Sequence, residues 1–152
     1  CVDGLGSHLG PILFQLPPHW ELNLERLRSF LKALPKRRKC AFEFRNSSWL
    51  VEEVYDLLRE YGIGFCIYDL NGFTTDPIVT TDFVYVRLHG PKAAYKDKYP
   101  LSSLKKWSRF FDEQIQQGKD VYCYFNNDEA AYAVANAKTL NSLCARKMKH
   151  AA

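Results

Sequence analysis

The chain has 152 residues, 47% apolar and 25% charged, the profile of a soluble globular protein long enough for one ordinary domain with a real core. Its 21 Lys+Arg against 17 Asp+Glu leave a net charge of +4, which neither demands nor excludes an anionic partner. No apolar run approaches the roughly 20 residues of a membrane span, and five cysteines without a CxxC pair or a signal peptide make a reducing cytoplasm the expected default.

Residues 1–10 carry no clear element, and the chain begins at Cys1 rather than Met. The run Pro11-Ile-Leu-Phe-Gln15 predicts a strand that Leu16-Pro-Pro18 ends, because proline supplies no ladder donor. Asn23 caps a predicted helix to about residue 34, with Leu24, Leu27, Phe30, Leu31 and Leu34 on one face and Pro35 as its stop. Cys40-Ala-Phe-Glu-Phe-Arg45 follows as a strand. A helix then runs from after Ser48 to about residue 61, punctuated by Gly62. Gly64-Phe-Cys-Ile-Tyr-Asp69 is the third strand, and the turn chemistry of Asn71-Gly72 and Asp76-Pro77 makes residues 70–82 a loop. Phe83-Val-Tyr-Val-Arg-Leu-His89, a loop over residues 90–100, a helix over about 102–117, Val121-Tyr-Cys-Tyr-Phe-Asn-Asn127 and a last helix to about residue 143 complete the chain. We expect one domain over residues 1–152, with a basic tail at 144–152. Two basic runs, Lys36-Arg-Arg-Lys39 and Arg146-Lys-Met-Lys149, read as solvated helix ends and tail.

Strands alternating with helices imply a parallel sheet whose ligands gather at the carboxyl ends of the strands. Side chains alternate across a strand, so Glu43 and Arg45, then Arg87 and His89, then Tyr124 and Asn126 each share a face opposite an apolar one. A sheet with helices on both sides would bury those charges, whereas a (β/α) barrel can keep a polar upper interior. The expected fold is therefore α/β, a TIM-type barrel of which about five parallel strands are present. Five strands would leave open, apolar edges, which suggests a processed product or an incomplete chain.

Four runs in order, Leu9-Gly-Pro-Ile-Leu-Phe-Gln-Leu-Pro-Pro18, Glu43-Phe-Arg-Asn-Ser-Ser-Trp49, Phe83-Val-Tyr-Val-Arg-Leu-His-Gly90 and Tyr124-Phe-Asn-Asn-Asp128, precede Tyr132-Ala-Val-Ala-Asn-Ala137. Together they resemble the YecE-like family, labelled domain of unknown function 72, over about residues 9–143. The resemblance implies a TIM-type barrel of roughly 250 residues. This chain would then be its C-terminal part, with the first strands upstream. The family label implies no established reaction.

The strand ends carry the candidate chemistry. Glu43 is a general acid or base with Arg45 holding an anionic substrate group, or else a buried ion-pair partner, for example of Arg87. His89 is a candidate for proton transfer, the chemistry histidine supplies most readily among side chains; the same residue before Gly90 also suits a hydrogen-bonded loop anchor. Asp69 is a third acid-base candidate, or a cap for the Asn71-Gly72 turn. Arg87 would hold charge, and Asn126 and Gln15 would read substrate hydroxyl or amide groups, while Asn127 caps the last helix. Tyr124 offers a flat surface to a sugar or base, whereas Trp49 reads as core. Tyr95 lies in the loop Pro91-Lys-Ala-Ala-Tyr-Lys-Asp-Lys-Tyr99, either a lid over a phosphate or base or an ordinary exposed loop.

No sequence pattern compels a metal, although Glu43, Asp69 and His89 are the residues that would converge on a divalent ion. No cofactor is indicated, and P-loop, GxGxxG and GxSxG patterns are absent. Two functions follow. One is an enzyme, a hydrolase, lyase or isomerase, acting on a small polar, anionic substrate. The weaker is a nucleic-acid module using the basic loop at 91–100 and the Lys36-Arg-Arg-Lys39 run.

Overall fold

The structure, a computed structural model, describes residues 2–148. Cys1, residues 149–152 and the side chains of the Arg146-Lys-Met-Lys149 run lie outside the described part. In chain order the elements are β1 (Ile12–Leu16), α1 (Leu24–Ala33), β2 (Cys40–Phe44), α2 (Glu52–Tyr61) and β3 (Gly64–Leu70). They continue with β4 (Phe73–Thr74), β5 (Phe83–Leu88), α3 (Leu101–Gln116), β6 (Asp120–Phe125) and α4 (Tyr132–Met148). Hydrogen bonding orders the strands β1-β2-β3-β5-β6, with β4 attached to β3 off that path. This is the expected mixed α/β fold with an open parallel sheet, consistent with part of a barrel.

Three local details depart from the sequence expectation. Residues 2–8 form 3-10 turns. Residues 70–82 are not wholly loop: Asn71 and Gly72 both take positive φ, 55° and 74°, the geometry of a two-residue hairpin turn. Asp69 thereby pairs antiparallel with Thr74, and Leu70 with Phe73. Finally, α4 continues to Met148 instead of stopping near residue 143.

Contacts divide the chain into two compact units, Cys1–Cys66 with Ile78–Thr81, and Ile67–Pro77 with Asp82–Ala152. In the first, β1 and β2 run parallel with Phe14 opposite Phe42 and Gln15 opposite Glu43. Asn23 caps α1 as expected, its Oδ1 accepting the Arg26 amide at 2.9 Å. Gly62 adopts φ 64° and closes α2 in the left-handed cap that a side chain would disfavour. The apolar face of the strands carries an aromatic row: Phe14 on Phe42 at 5.2 Å, Phe42 on Phe44 at 5.7 Å and Phe44 on Trp49 at 4.9 Å. Phe30 of α1 meets that row edge-on.

In the second unit β5 and β6 run parallel, Tyr85 opposite Tyr122 and Arg87 opposite Tyr124. Val121 and Cys123 of β6 face Phe111 of α3 and Leu140 of α4. The other face carries Phe83 against Tyr122 and Tyr85 against Tyr124. The alternation read from the sequence is therefore realised, with one helix-packed face and one aromatic, polar face on the same strands.

Candidate functional site

In the first unit, Gln15, Glu43 and Arg45 come together on neighbouring strand ends. Glu43 is completely buried, 0% exposed, and the Arg45 side chain is 7% exposed. Arg45 Nε forms an ion pair with Glu43 Oε1, and Arg45 Nη2 donates to Gln15 Oε1 at 3.5 Å. The Cys66 thiol lies 3.6 Å from Glu43 Oε2 as donor. Two charges removed from water require this mutual satisfaction, and Arg45, two residues along the chain, is an ion-pair partner of Glu43. Trp49 is core, as expected: its indole N–H donates to the Trp20 carbonyl at 2.7 Å. A cavity of about 740 Å³ lies on the aromatic side, lined by Phe14, Phe30, Phe42 and Trp20, with Gln15 the one sequence candidate on its wall.

In the second unit, the ends of β5 and β6 bring Arg87, His89, Tyr124 and Asn126 onto neighbouring positions. The Asn126 amide donates to the Leu88 carbonyl at 2.8 Å, which fixes the two strand ends side by side. Asn126 Oδ1 is buried without a hydrogen-bond donor. His89 is 0% exposed; its backbone amide donates to the Asp69 carbonyl at 2.9 Å and its carbonyl accepts from Tyr95 at 2.5 Å. The Tyr95 ring stands perpendicular to the imidazole, centroids 5.5 Å apart. Tyr124 stacks on the buried Tyr85 at 5.2 Å and remains 45% exposed.

Asp69 belongs to a different part of this network. Alternation along β3 sets it with Phe65 and Ile67, on the face opposite Cys66 and Tyr68. The Tyr99 hydroxyl accepts the Gly90 amide at 2.9 Å and hydrogen-bonds the Asp69 carboxyl. Burial raises the Asp69 pKa above the usual carboxylate value, against the lowering pull of Tyr99, His89 and Thr74. Tyr99 is raised as well, by burial first and then by the Asp69 charge.

Tyr99 ends a loop held by two buried asparagines. Asn136 of α4 accepts from the Tyr99 amide and donates to the Tyr99 carbonyl, both at 3.2 Å. Asn127 Nδ2 donates to the Asp97 carbonyl at 2.7 Å and to Asn136 Oδ1 at 3.0 Å. The Asn127 side chain thus grips the loop instead of capping the last helix as expected: α4 starts at Tyr132, and Asn127 Oδ1 accepts no backbone amide. Gly90 is required where the loop turns back: at φ 127°, an added Cβ would lie 2.3 Å from the Ala93 carbonyl oxygen and 2.5 Å from that of Lys96. Asn136 was not among the sequence candidates, although it lies inside the Tyr132-Ala-Val-Ala-Asn-Ala137 motif. Its role needs a partner 37 residues away.

Among the described residues, no group of three or more His, Cys, Asp or Glu side chains is arranged to hold a metal ion, so the convergence of Glu43, Asp69 and His89 on one has no geometric support. No helix among them is long and apolar enough to cross a membrane.

Three comparisons place this geometry among known proteins. A family model described as protein of unknown function DUF72 matches residues 1–152. UPF0759 protein YunF of Bacillus subtilis (strain 168) is 26% identical over a match that covers 90% of this chain and 58% of the relative. The crystal structure of a DUF72 family protein from Thermotoga maritima MSB8 superposes with a TM-score of 0.81 at 28% identity, over 97% of this chain and 62% of that one. A DUF72 family protein from Enterococcus faecalis V583 shares the fold, with a TM-score of 0.77 at 20% identity over 94% and 63% of the two chains. The chain thus spans less than two thirds of the length of each of these relatives.

Proposed function

The chain belongs to the DUF72 family, and from that premise we propose an enzyme that performs acid-base chemistry on a small polar anion at the ends of β5 and β6. His89 carries the proton, Arg87 holds the substrate charge, and Asn126 orients a donor group of the substrate. Asp69 acts from behind, its backbone carbonyl fixing His89 and its carboxyl bonded to Tyr99. Glu43, Arg45 and Gln15 form the supporting ion-pair cluster of the first unit.

The observation that carries this reading is the buried, donorless Oδ1 of Asn126 beside the buried His89 strand end. A polar atom withdrawn from water costs free energy until a partner reaches it; Asn126 as a residue is only half-buried, so a turn of its side chain would offer that oxygen to a ligand at the strand ends. Hydrolysis, isomerisation and elimination all use this equipment, so the proposal stops at the reaction type.

The test is a thermal-shift panel of sugar phosphates, organic acids and short oligonucleotides on the intact protein and its Arg87→Ala variant. Stabilisation by one small anion, lost in the variant, supports the proposal. Stabilisation by oligonucleotides alone, weakening steeply with salt, would replace it with the nucleic-acid reading through the exposed Lys92, Tyr95, Lys96 and Lys98.

A further inference from the structure

Most aromatic rings of this chain are explained by the core, but Tyr124 is not. It projects from β6 with 45% of its surface exposed, backed by the buried Tyr85 ring at an interplanar angle of 30°. Arg87 stands directly opposite it in the strand register. Two residues further along the same face, Asn126 presents a buried oxygen with no donor. A supported flat ring, a guanidinium beside it and an acceptor beyond it lie in one row along two paired strands.

Each member of the row selects a different part of a ligand. A tyrosine stiffened from below by a second ring offers its free face to another flat group. The guanidinium selects planar or tetrahedral anions. The unmatched oxygen selects an N–H or O–H donor. An apolar helix or strand covering the face would meet the tyrosine but would set carbon against the guanidinium.

Resting on the pocket proposed above, we infer that its substrate is a small anion bearing a ring, seated face-on against Tyr124 with its anionic group toward Arg87 and a ring or hydroxyl donor toward Asn126 Oδ1. The ring is an aromatic heterocycle or the C–H face of a pyranose, both of which stack on tyrosine.

Equilibrium titration of the intact protein with adenosine 5′-monophosphate, glucose 6-phosphate and inorganic phosphate tests this. The ring-bearing anion should bind roughly tenfold or more tightly than phosphate, Tyr124→Ala should remove that advantage, and Tyr124→Phe should keep it. Tighter binding of the adenosine compound identifies the heterocycle, and tighter binding of the sugar phosphate the pyranose; either supports the inference. Equal binding of all three, unmoved by Tyr124→Ala, overturns the ring seat and leaves the anion pocket standing. Failure of all three to bind overturns both. Tyr124 is exposed, so a thermal melt of the alanine variant matching the parent confirms that the fold is intact.

Discussion

The Glu43–Arg45 pair gives a quantitative test of how this chain tolerates charge in its interior. Both side chains are nearly excluded from water, at 0% and 7% exposure. Removing either partner strips the other of this ion pair in the interior, which costs about 3–5 kcal/mol. Removing both together, as Glu43→Leu with Arg45→Met, exchanges the pair for packed carbon and should return stability to within about 1 kcal/mol of the parent or above it. For a chain of this size roughly 2–4 °C of Tm accompany each kcal/mol, so each single variant should melt roughly 6–20 °C lower. Urea titration followed by tryptophan fluorescence reads the effect, since Trp49, one of the chain's three tryptophans, packs on Phe44, the residue between the two charges. The four proteins form a double-mutant cycle whose coupling should reach several kcal/mol. If each single change costs less than about 1 kcal/mol and the two simply add, the pair behaves like an exposed one and the argument from burial is wrong.

Two further outcomes follow from the second unit. Gly90→Ala forces a left-handed backbone and two backbone oxygens within 2.5 Å of the new carbon; with strain of roughly 1–3 kcal/mol it should release the loop and speed tryptic cleavage after Lys92, Lys96 and Lys98, and an unchanged digest would contradict the loop path. Burial raises the Asp69 pKa above its unfolded value, so the folded state holds the proton more tightly and stability falls as pH rises from the unfolded value through the folded one. Asp69→Asn should therefore be at least as stable as the parent at pH 7, with the difference shrinking as pH falls through the raised folded pKa and gone by about pH 4; urea midpoints showing the variant weaker at pH 7 would reverse the sign.

What could be read from the sequence was whatever depends on near neighbours. The Asn23 cap, the Gly62 stop and the two-faced strands are local signals, and each is present in the folded chain. Residues whose roles depend on distant partners were read less well. Asn136 looks like an ordinary polar residue within a helix until the Tyr99 backbone is set against it. Asp69 ends its strand like the other candidates, but its carboxyl partner Tyr99 arrives from a loop 30 residues later, on the other face of β3 from Cys66 and Tyr68. The Asn71-Gly72 pair was recognised as a turn, yet the hairpin it makes depends on Thr74 meeting Asp69. Glu43 offered two readings because strand alternation fixes a side chain's face and not its partner.

The prolines that bracket β1 have a consequence for how its alignment with β2 is chosen. Pro11 precedes the segment Ile-Leu-Phe-Gln-Leu, and Pro17 and Pro18 follow it. Its five residues pair one to one with β2, from Ile12 opposite Cys40 to Leu16 opposite Phe44. Proline offers no backbone donor and resists extension of a ladder, so sliding β1 by one residue either way would draw a proline into the pairing. The same slip would turn Phe14 and Gln15 to each other's faces. The prolines that stop the strand thus also hold its register.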